Sequence, residues 1–475
     1  MIADLKPYGE YKLTEIEWLG GLPVHWHELS LKRVARWENS GCYGNEPENG
    51  VRVLPVATTA QIDRDGNFTV SRMPQRGFTD EEVARYSCKP GDILVVKSSG
   101  SAANVISGKA GIVRVDTPPF VFSNFLMRFV ARATHVESEF LFLMLTCNLT
   151  RERVKRMVST TTYPNLRVGE YCSALLPVPP LVEQATIVRF LKWANGRLER
   201  AIRAKRKVIA LLNEQKQAIV HRAVTRGLAP SVPLRPSGIS WIGDVPIHWE
   251  LRRIKYLLRE VDERSTTGSE PLLSMRMHHG LVLFAEHFSR PPQAATLVGF
   301  KIVRPGQFVV NRMQAGNGVI FASTLTGLVS PDYAVFDPIG DANVGFLGEL
   351  FRSRKVRAKF RAESKGLGTG SSGFLRLYND RFGAIHVALP PSAEQENILN
   401  GLAGELTGVN TAISRLEREI DLLREYSTRL VADVVTGKLD VRQAAAQLPQ
   451  EAAVHMDTED KLSDETESAD EEAVV

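Results

Sequence analysis

The sequence predicts an α+β protein with a pseudo-twofold internal repeat, in which two globular domains are separated by two long helices that pair as a coiled coil. Two stretches of the form Pro-Pro-x-x-Glu-Gln begin at Pro179 and Pro390, 211 residues apart. Each is preceded by short strand patterns and followed by some 40 residues with apolar side chains at helical spacing. A repeat this long indicates a duplicated domain plus helix, since solenoid repeats have periods of about 20–50 residues.

Length and composition are those of an ordinary folded protein. The chain has 475 residues, of which 43% are hydrophobic and 24% are charged. This length allows about three domains. We see no apolar run long enough to span a bilayer and no signal sequence at the start. These features predict a cytoplasmic protein.

The four cysteines are predicted to be reduced, partly buried thiols. Cys42, Cys88, Cys147 and Cys172 show no C-x-x-C spacing, and none lies in the second half of the chain. The pattern therefore indicates neither a disulfide framework nor a metal site.

Charge is distributed unevenly along the chain. The net charge is +5, but the segment 451–475 contains ten acidic residues and one lysine, so residues 1–450 carry +14. The acidic segment contains no aromatic residue and is predicted to be disordered. The basic body suggests a polyanionic partner, although a soluble basic enzyme is the alternative.

Each half opens with two tryptophans around a glycine and a proline. Trp18 and Trp26 in the first half match Trp241 and Trp249 at an offset of 223 residues. This pattern predicts a packed corner at the entrance of each domain. A histidine precedes the second tryptophan in each copy, and we interpret it as a turn residue rather than a catalytic one.

Each half then repeats a turn and a buried strand. Pro90-Gly91 precedes the apolar run 93–96, and Pro305-Gly306 precedes 308–310. A loop of small and polar residues follows each strand, and the helical patterns 138–157 and 344–363 come next. The loops of the two halves do not match, whereas the elements around them do. A shared scaffold with two different loop sets suits a molecule that binds two different things.

The long helices are predicted to contact each other. The first contains eleven Lys/Arg against three Glu over 183–226, and the second contains eight acids against four Arg over 394–435. Pairing of the two is therefore attractive, while two helices lying on their own domains are the alternative. Each helix is roughly 60 Å long. The predicted interface residues are Ile187, Leu191, Leu198, Leu212, Ile219, Ile398, Leu402, Ile413, Leu416, Ile420, Leu423 and Leu430.

The resulting boundaries are an N-terminal arm, a first globular domain, a first long helix, a second globular domain, a second long helix and an acidic tail. In the same order they are 1–15, 16–180, 181–228, 229–391, 392–444 and 445–475.

Catalytic motifs are incomplete. The segment 116–120 misses the methyltransferase pattern because Thr117 stands where Asp, Asn or Ser is needed. The string 368–373 fits G-x-G-x-x-G, but a helical pattern precedes it and a strand pattern follows, the reverse of a dinucleotide site. Asp92 and Lys97 lack the second carboxylate that a nuclease metal requires. We infer that the chain is not catalytic on its own.

The paired tryptophan motifs and the two Pro-Pro-x-x-Glu-Gln helix starts, in this order, resemble the specificity subunit of type I restriction–modification systems. The resemblance covers residues from about 16 to 444. It implies two target-recognition domains, each reading half of a split DNA site. It also implies an antiparallel coiled coil that sets the spacing and docks the modification subunits, of which two are expected, with restriction subunits as further partners. S-adenosylmethionine, ATP and Mg²⁺ would be bound by those partner subunits and not by this chain.

Candidate DNA-contacting residues lie in the unmatched loops, where basic, amide and hydroxyl groups can meet phosphates and base edges. They are Lys97, Ser98, Ser99, Asn104, Tyr163, Asn165 and Arg167 in the first half, and Arg312, Gln314 and Asn317 in the second. Because the loops differ, an asymmetric bipartite site is expected. A free-standing DNA-modifying enzyme and a protein–protein scaffold without a DNA role are the alternative functions.

Overall fold

The computed structural model describes residues 5–16, 18–38, 40–48, 51–98, 100–101, 104–159, 164–229, 231–277, 279–288, 291–367 and 374–449. They fall into two compact units. Unit 1 draws on Met1–Lys205 and Arg418–Val454, and unit 2 on Arg206–Glu417. Each unit therefore combines one globular part with a portion of both long helices. The acidic segment 451–475 lies outside the described residues.

The helices are, in chain order, α1 (Leu31–Val34), α2 (Asp80–Tyr86), α3 (Ser138–Thr146), α4 (Asn148–Arg156), α5 (Val168–Ser173), α6 (Leu181–Arg226), α7 (Phe284–His287), α8 (Val344–Arg352), α9 (Arg354–Glu363), α10 (Asn379–Ala384), α11 (Ser392–Val435) and α12 (Arg442–Ala446). Short 3-10 turns lie at Thr59–Gln61, Val70–Arg72, Ile254–Tyr256 and Ala315–Asn317.

The strands of unit 1 are β1 (Tyr11–Lys12), β2 (Leu22–Pro23), β3 (His27–Ser30), β4 (Ala35–Glu38), β5 (Arg52–Ala57), β6 (Gln75–Phe78), β7 (Ile93–Val96), β8 (Gly100–Ser101), β9 (Asn104–Val105), β10 (Ala110–Ile112), β11 (Val121–Phe122), β12 (Leu126–Ala131), β13 (Val158–Ser159), β14 (Asn165–Leu166) and β15 (Leu175–Val178).

The strands of unit 2 are β16 (Leu234–Pro236), β17 (Asp244–Pro246), β18 (Glu250–Arg253), β19 (Leu258–Val261), β20 (Leu273–Arg276), β21 (Gly280–Leu283), β22 (Lys301–Val303), β23 (Phe308–Val310), β24 (Ile320–Ala322), β25 (Gly327–Val329), β26 (Ala334–Pro338), β27 (Lys365–Leu367), β28 (Phe374–Arg376) and β29 (His386–Leu389).

The same antiparallel sheet forms the centre of both units. Its strand order is β10-β7-β12-β4 in unit 1 and β24-β23-β26-β19 in unit 2. In unit 1, Ile93 lies opposite Phe129, and in unit 2, Phe308 lies opposite Phe336. All four residues of β7 are buried, as its uninterrupted apolar run predicts. The predicted duplication is therefore visible as one sheet topology used twice.

A helical pair packs beside each sheet. The stretch predicted as helical at 138–157 consists of α3 and α4, which meet at Cys147. Its counterpart at 344–363 consists of α8 and α9, which meet at Ser353. In each unit the last strand, β15 or β29, then pairs with the strand that follows the tryptophan motif, β3 or β18. This pairing brings the start of each long helix next to its own domain entrance.

Helices α6 and α11 run antiparallel where they meet in each unit. In unit 1, Lys205 pairs with Glu419 at 2.6 Å, and Asn195 Oδ1 accepts from Ser427 Oγ at 3.0 Å. In unit 2, Lys216 Nζ donates to Asn410 Oδ1 at 2.9 Å, and Arg222 pairs with Glu405 at 3.0 Å. Within each unit, a higher residue number in α6 therefore faces a lower number in α11. The opposite charges of the two helices thus meet as expected, and the predicted antiparallel coiled coil is confirmed.

A glycine ends each long helix beside the second tryptophan of a domain entrance. Gly227 follows α6 with φ of +77°, and a Cβ there would lie 3.7 Å from Trp249. Gly437 follows α11 with φ of +78°, and a Cβ there would lie 3.2 Å from Trp26. The left-handed conformation favours glycine at both positions. The predicted segment 392–444 accordingly contains α11, this turn and the start of α12.

The predicted interface residues differ in depth. Ile187, Leu191, Ile398, Leu402, Ile420 and Leu430 are buried, and Leu198, Leu212, Ile219, Ile413, Leu416 and Leu423 are half-buried. All of the buried group except Ile420 belong to the cores of the globular parts. Four of them lie in the opening turns of α6 and α11, whereas Leu430 lies near the end of α11. None of the helices in the described part of the chain combines the length and apolar character that a bilayer-spanning segment requires.

Candidate nucleic-acid interface

The glutamate of the first Pro-Pro-x-x-Glu-Gln motif joins α6 to the tryptophan motif of unit 1. Glu183 lies in the first turn of α6, and its side chain is 7% exposed. Its Oε1 accepts hydrogen bonds from Trp26 Nε1 at 3.1 Å and from Tyr8 Oη at 2.6 Å. Its Oε2 lies 2.8 Å from His25 Nε2. Burial, followed by the hydrogen bond to Glu183, raises the pKa of Tyr8, so the phenol stays a donor.

Unit 2 repeats this junction with fewer partners. Glu394 Oε1 accepts from Trp249 Nε1 at 3.1 Å, and Glu394 Oε2 lies 2.7 Å from His248 Nε2. The histidines are therefore more than the turn residues that the sequence suggested, because each contacts the carboxylate at a helix start. Their partners lie 158 and 146 residues further along the chain, so no fixed spacing indicated the contact.

The glutamine of each motif links the long helix to the start of the helical pair. Gln184 Oε1 accepts from the backbone N–H of Glu137, which precedes α3, at 2.8 Å. Gln395 Oε1 accepts from the N–H of Asn343, which precedes α8, at 2.7 Å. Both glutamines are fully buried. The motif thus orients the sheet, the helical pair and the long helix of each unit relative to one another.

The loop after β7 meets the strand before α5 in unit 1. Lys97 accepts a backbone hydrogen bond from Leu166 N at 2.9 Å, and Ser98 forms a β-bridge with Asn165. The Oγ of Ser107 donates to the carbonyl of Pro164 at 2.7 Å. The structure therefore brings together two groups of candidates that are about 70 residues apart in sequence, since Lys97 and Ser98 lie beside Asn165.

Other candidates of unit 1 are placed only in part. Ser99 and Tyr163 lie outside the described residues, and Asn104 is described only as backbone of β9. Arg167 is turned to the protein, because its Nη1 contacts Glu170 at 2.7 Å and its Nη2 donates to the Arg156 carbonyl at 2.9 Å. It helps to hold the end of α4 in position.

The equivalent loop of unit 2 has the same backbone anchor. Arg312 accepts from Leu377 N at 2.9 Å, as Lys97 does from Leu166 in unit 1. The Arg312 side chain is directed to Glu260 Oε1 at 2.9 Å and to Asn379 Oδ1 at 3.1 Å. The guanidinium of Arg312 therefore already forms an ion pair with Glu260.

Gln314 precedes a short 3-10 turn in the same loop, and Asn317 is the last residue of that turn. Gln314 is half-buried, and its carbonyl accepts from Asn317 N at 2.9 Å. Asn317 is exposed, and its Oδ1 accepts from Arg361 Nη2 at 3.1 Å. The amide N–H₂ of Asn317 keeps its capacity to donate to a base edge or phosphate. The G-x-G-x-x-G string at 368–373, interpreted as a loop, lies outside the described residues.

The sequence reasoning missed the arginines of α4 and α9. Arg151 Nη1 donates to the carbonyl of Ser107 at 3.0 Å, and Arg361 Nη2 donates to the carbonyl of Gly316 at 3.2 Å. Both contacts brace the loops that carry the candidates. The available signal was the basic composition of the second helix in each pair, with four Lys/Arg in α4 and five in α9.

A largely buried arginine of β12 links β4 to the turn that precedes β7. Arg128 Nη2 contacts Glu38 at 2.6 Å, and its Nη1 lies 3.5 Å from Asp92. Asp92 also accepts from Lys89 N at 2.9 Å. Burial raises the pKa of Asp92 above that of an ordinary aspartate, in spite of these partners.

The cysteines are dispersed. Cys147 and Cys172 are buried, while Cys42 and Cys88 are half-buried, and burial raises the pKa of Cys172 to about 11. Within the described ranges, no group of three or more His, Cys, Asp or Glu side chains is placed to hold a metal ion.

Part of the chain matches a known protein family. Residues 55–206 match the family model described as the type I restriction modification DNA specificity domain. A curated relative, the type I restriction enzyme MjaVIII specificity subunit of Methanocaldococcus jannaschii, is 23% identical over 219 residues, which are 46% of this chain and 49% of that protein. The matched region thus spans about half the length of that relative.

A solved structure shares the fold. A chain from a study of complex assembly and conformational transition in a type I R-M system is 16% identical, with a TM-score of 0.57 over 88% of this chain and 99% of that chain. The HsdS subunit from Thermoanaerobacter tengcongensis is also 16% identical, with a TM-score of 0.43 over 88% of this chain and 98% of its own. The matched segment 55–206 contains β7, β10 and β12 of the central sheet, the helical pair and the first part of α6, and its match to the type I restriction modification DNA specificity domain confirms the family that the tryptophan motifs and helix starts indicated.

Proposed function

We propose that the chain is the DNA sequence-specificity subunit of a type I restriction–modification complex and that it recognises an asymmetric bipartite site in duplex DNA. The observation that carries this proposal is the repeated loop anchor. Lys97 and Arg312 accept equivalent backbone hydrogen bonds just after equivalent strands, β7 and β23. The side chains that follow them in the two loops differ. Two equivalent frames with different loops fit two different half-sites.

We assign catalysis to partner subunits, because the family resemblance implies it and the sequence lacks complete catalytic motifs. The chain would act without catalysing a reaction, while modification subunits, two in number, dock on the coiled coil and restriction subunits join the complex. S-adenosylmethionine, ATP and Mg²⁺ would be used by these partners. A complex that modifies and restricts DNA in this way works in the cytoplasm.

Methylome sequencing of a host that expresses the chain with its modification subunits tests the proposal directly. We expect methylation at two short, different half-sites separated by a constant gap. The purified complex should then bind this duplex more tightly than one with a scrambled half-site, and its affinity should fall steeply with salt. Equal affinity for every duplex at high salt would contradict the proposal.

The role of the long helices has a separate test. Deleting seven residues from α6 and seven facing residues from α11 removes two turns, or about 10 Å of each helix. If the helices set the spacing, the methylated gap should shorten by about three base pairs, at 3.4 Å each. The matched control deletes seven residues from α6 alone, which disrupts the pairing and should abolish methylation. An unchanged gap in the double deletion would show that the helices do not measure the distance.

A further inference from the structure

Both units pack an arginine of the helical pair against a glycine turn. In unit 1, a Cβ on Gly108 would lie 2.9 Å from Arg151 Nη1, and in unit 2, a Cβ on Gly318 would lie 3.0 Å from Arg357 Nε. The two glycines have φ of +78° and +88°. Both turns follow the central strand of the sheet, and both belong to the loops that carry the DNA-contact candidates. The glycine–arginine contact is therefore a second feature shared by the two loops.

Unit 2 places two arginines side by side in this position. Arg357 and Arg361 are one helical turn apart on α9 and face the loop, since Gly316 and Gly318 approach them. Arg361 donates to the Gly316 carbonyl and to Asn317 Oδ1. Its guanidinium is thereby held beside the loop residues expected to meet DNA.

The positive charge of Arg357 has no protein counter-ion among the described residues. No carboxylate of that part of the chain pairs with it, and its buried Nε makes no hydrogen bond there. Burial, and then the neighbouring Arg361, lower the pKa of Arg357. In unit 1, burial likewise lowers the pKa of Arg151. A partly desolvated guanidinium without an anion is unfavourable in the free protein, and an incoming anion removes that cost.

We propose that Arg357, supported by Arg361, binds a backbone phosphate of the DNA half-site read by unit 2, with Arg151 as its counterpart in unit 1. This inference rests on the proposed function and adds residues that the sequence did not single out. A guanidinium suits a phosphate because it offers parallel N–H donors to two oxygens. Arg357 is attached to a rigid helix and braced by its neighbours, so it positions the loop on the duplex while the loop side chains contact bases.

The test measures binding of labelled duplexes by fluorescence anisotropy with the complete methyltransferase complex, from about 50 to 200 mM salt. One duplex carries the methylated site, and the other carries a changed half-site for unit 2. The variants are Arg357→Gln and Arg357→Lys. The control is Lys355→Gln, which makes the same charge change on an exposed side chain about 200° round α9.

We expect Arg357→Gln to weaken binding of both duplexes by a similar factor, on the order of tenfold. The slope of log affinity against log salt should decrease in magnitude by about one, as for the loss of one phosphate contact. Arg357→Lys keeps the charge and should keep the slope. A retained slope in this variant would show that a change at position 357 does not in itself unfold the protein. Lys355→Gln should behave like the wild type.

Two results would overturn the inference: a slope for Arg357→Gln equal to that of Lys355→Gln, or a loss confined to the duplex with the correct half-site. The first would mean that no phosphate is contacted, and the second would make Arg357 a base reader. A wild-type complex without preference for the methylated site would instead overturn the proposed function itself.

Discussion

Glu183 accepts a hydrogen bond from the indole of Trp26 at 3.1 Å, although 157 residues separate them in the chain. Glu394 and Trp249 form the same bond at the same distance in unit 2. Each bond joins the first turn of a long helix to the tryptophan at its domain entrance. The direction in which a helix leaves its domain is therefore determined at this carboxylate, together with the adjacent buried glutamine.

The first prediction concerns this carboxylate. Glu183→Ala leaves the Trp26 N–H and the Tyr8 O–H buried without an acceptor, at about 1–3 kcal/mol for each group. We expect the free energy of unfolding in urea to fall by about 3 kcal/mol. Glu394→Ala should cost less, about 1–2 kcal/mol, because its carboxylate has no tyrosine partner and is 27% exposed against 7% for Glu183.

Val182→Ala is the matched control, since Val182 lies in the same turn of α6 and is 82% exposed. Its effect should stay within about 0.5 kcal/mol. Similar losses for Val182→Ala and Glu183→Ala would show that the carboxylate does not anchor the helix.

The bond between Trp26 and Glu183 could not be predicted from the sequence. The long helices, the duplicated domain and the opposite charges could be predicted because each is a local pattern that occurs twice. The Trp26–Glu183 contact has no such pattern, since the matching histidine contacts span 158 residues in one unit and 146 in the other. The difference arises from loop lengths between the two motifs, which do not affect the geometry of the junction.

Side-chain roles within the loops were less predictable. Lys97 and Asn165 belong to segments whose proximity depends on the backbone bonds between the loop after β7 and β14. Arg312 looked like a DNA contact by residue type, but its partner Glu260 comes from a strand 52 residues earlier. Arg357 is one of five basic residues in α9, and only tertiary packing distinguishes it from Lys355.

The second prediction is a pH dependence at Asp92. Because burial raises its pKa, the folded state holds the proton more tightly than the unfolded state. The contribution of this group to stability is therefore complete below the ordinary aspartate pKa of about 3.9 and is lost as the pH rises through the raised value. Asp92→Asn keeps the acceptor for Lys89 N and carries no charge. In urea, the free energy of unfolding of the variant should therefore increase relative to that of the wild type as the pH rises from about 4 to 7.

The repeat offers the reciprocal change. Gln307 occupies the position of Asp92 in unit 2, where its Oε1 accepts from Arg304 N at 2.7 Å and its Nε2 donates to Asp337 at 2.7 Å. Gln307→Glu places two carboxylates together and should cost about 1–3 kcal/mol at neutral pH, with a smaller loss near pH 4. If the free energy of unfolding of both variants differed from that of the wild type by the same amount at every pH, the raised pKa of Asp92 would be contradicted.

The third prediction uses three glycines of α11. A Cβ on Gly404 or Gly408 would meet nothing within 4 Å, whereas a Cβ on Gly401 would lie 2.2 Å from Leu228 Cδ1. Alanine at 404 or 408 should therefore stabilise the helix by about 0.5–1 kcal/mol each, because glycine is the poorer helix former. Alanine at 401 should destabilise the protein, since Leu228 must move away from the helix. Thermal unfolding of the three variants gives the order directly, and a stabilising Gly401→Ala would contradict the packing.

The fourth prediction compares two glycine turns of unit 2. Gly306 and Gly318 have φ of +87° and +88°, so alanine strains the backbone similarly at both, by about 1–2 kcal/mol. A Cβ at Gly306 would meet nothing within 4 Å, whereas one at Gly318 would press on Arg357 at 3.0 Å. Both variants should thus lose similar stability, but only Gly318→Ala should weaken DNA binding by the methyltransferase complex, because it displaces the guanidinium from the loop.

Anisotropy with the methylated duplex measures this difference, and thermal unfolding of the same samples measures the shared strain. If both variants bind DNA as tightly as the wild type, the position of Arg357 against the loop does not matter for binding. If Gly306→Ala also weakens binding to the same extent, the effect comes from backbone strain in the sheet and not from the glycine–arginine contact. Only a loss specific to Gly318→Ala fits a loop whose place on the duplex is set by the arginine behind it.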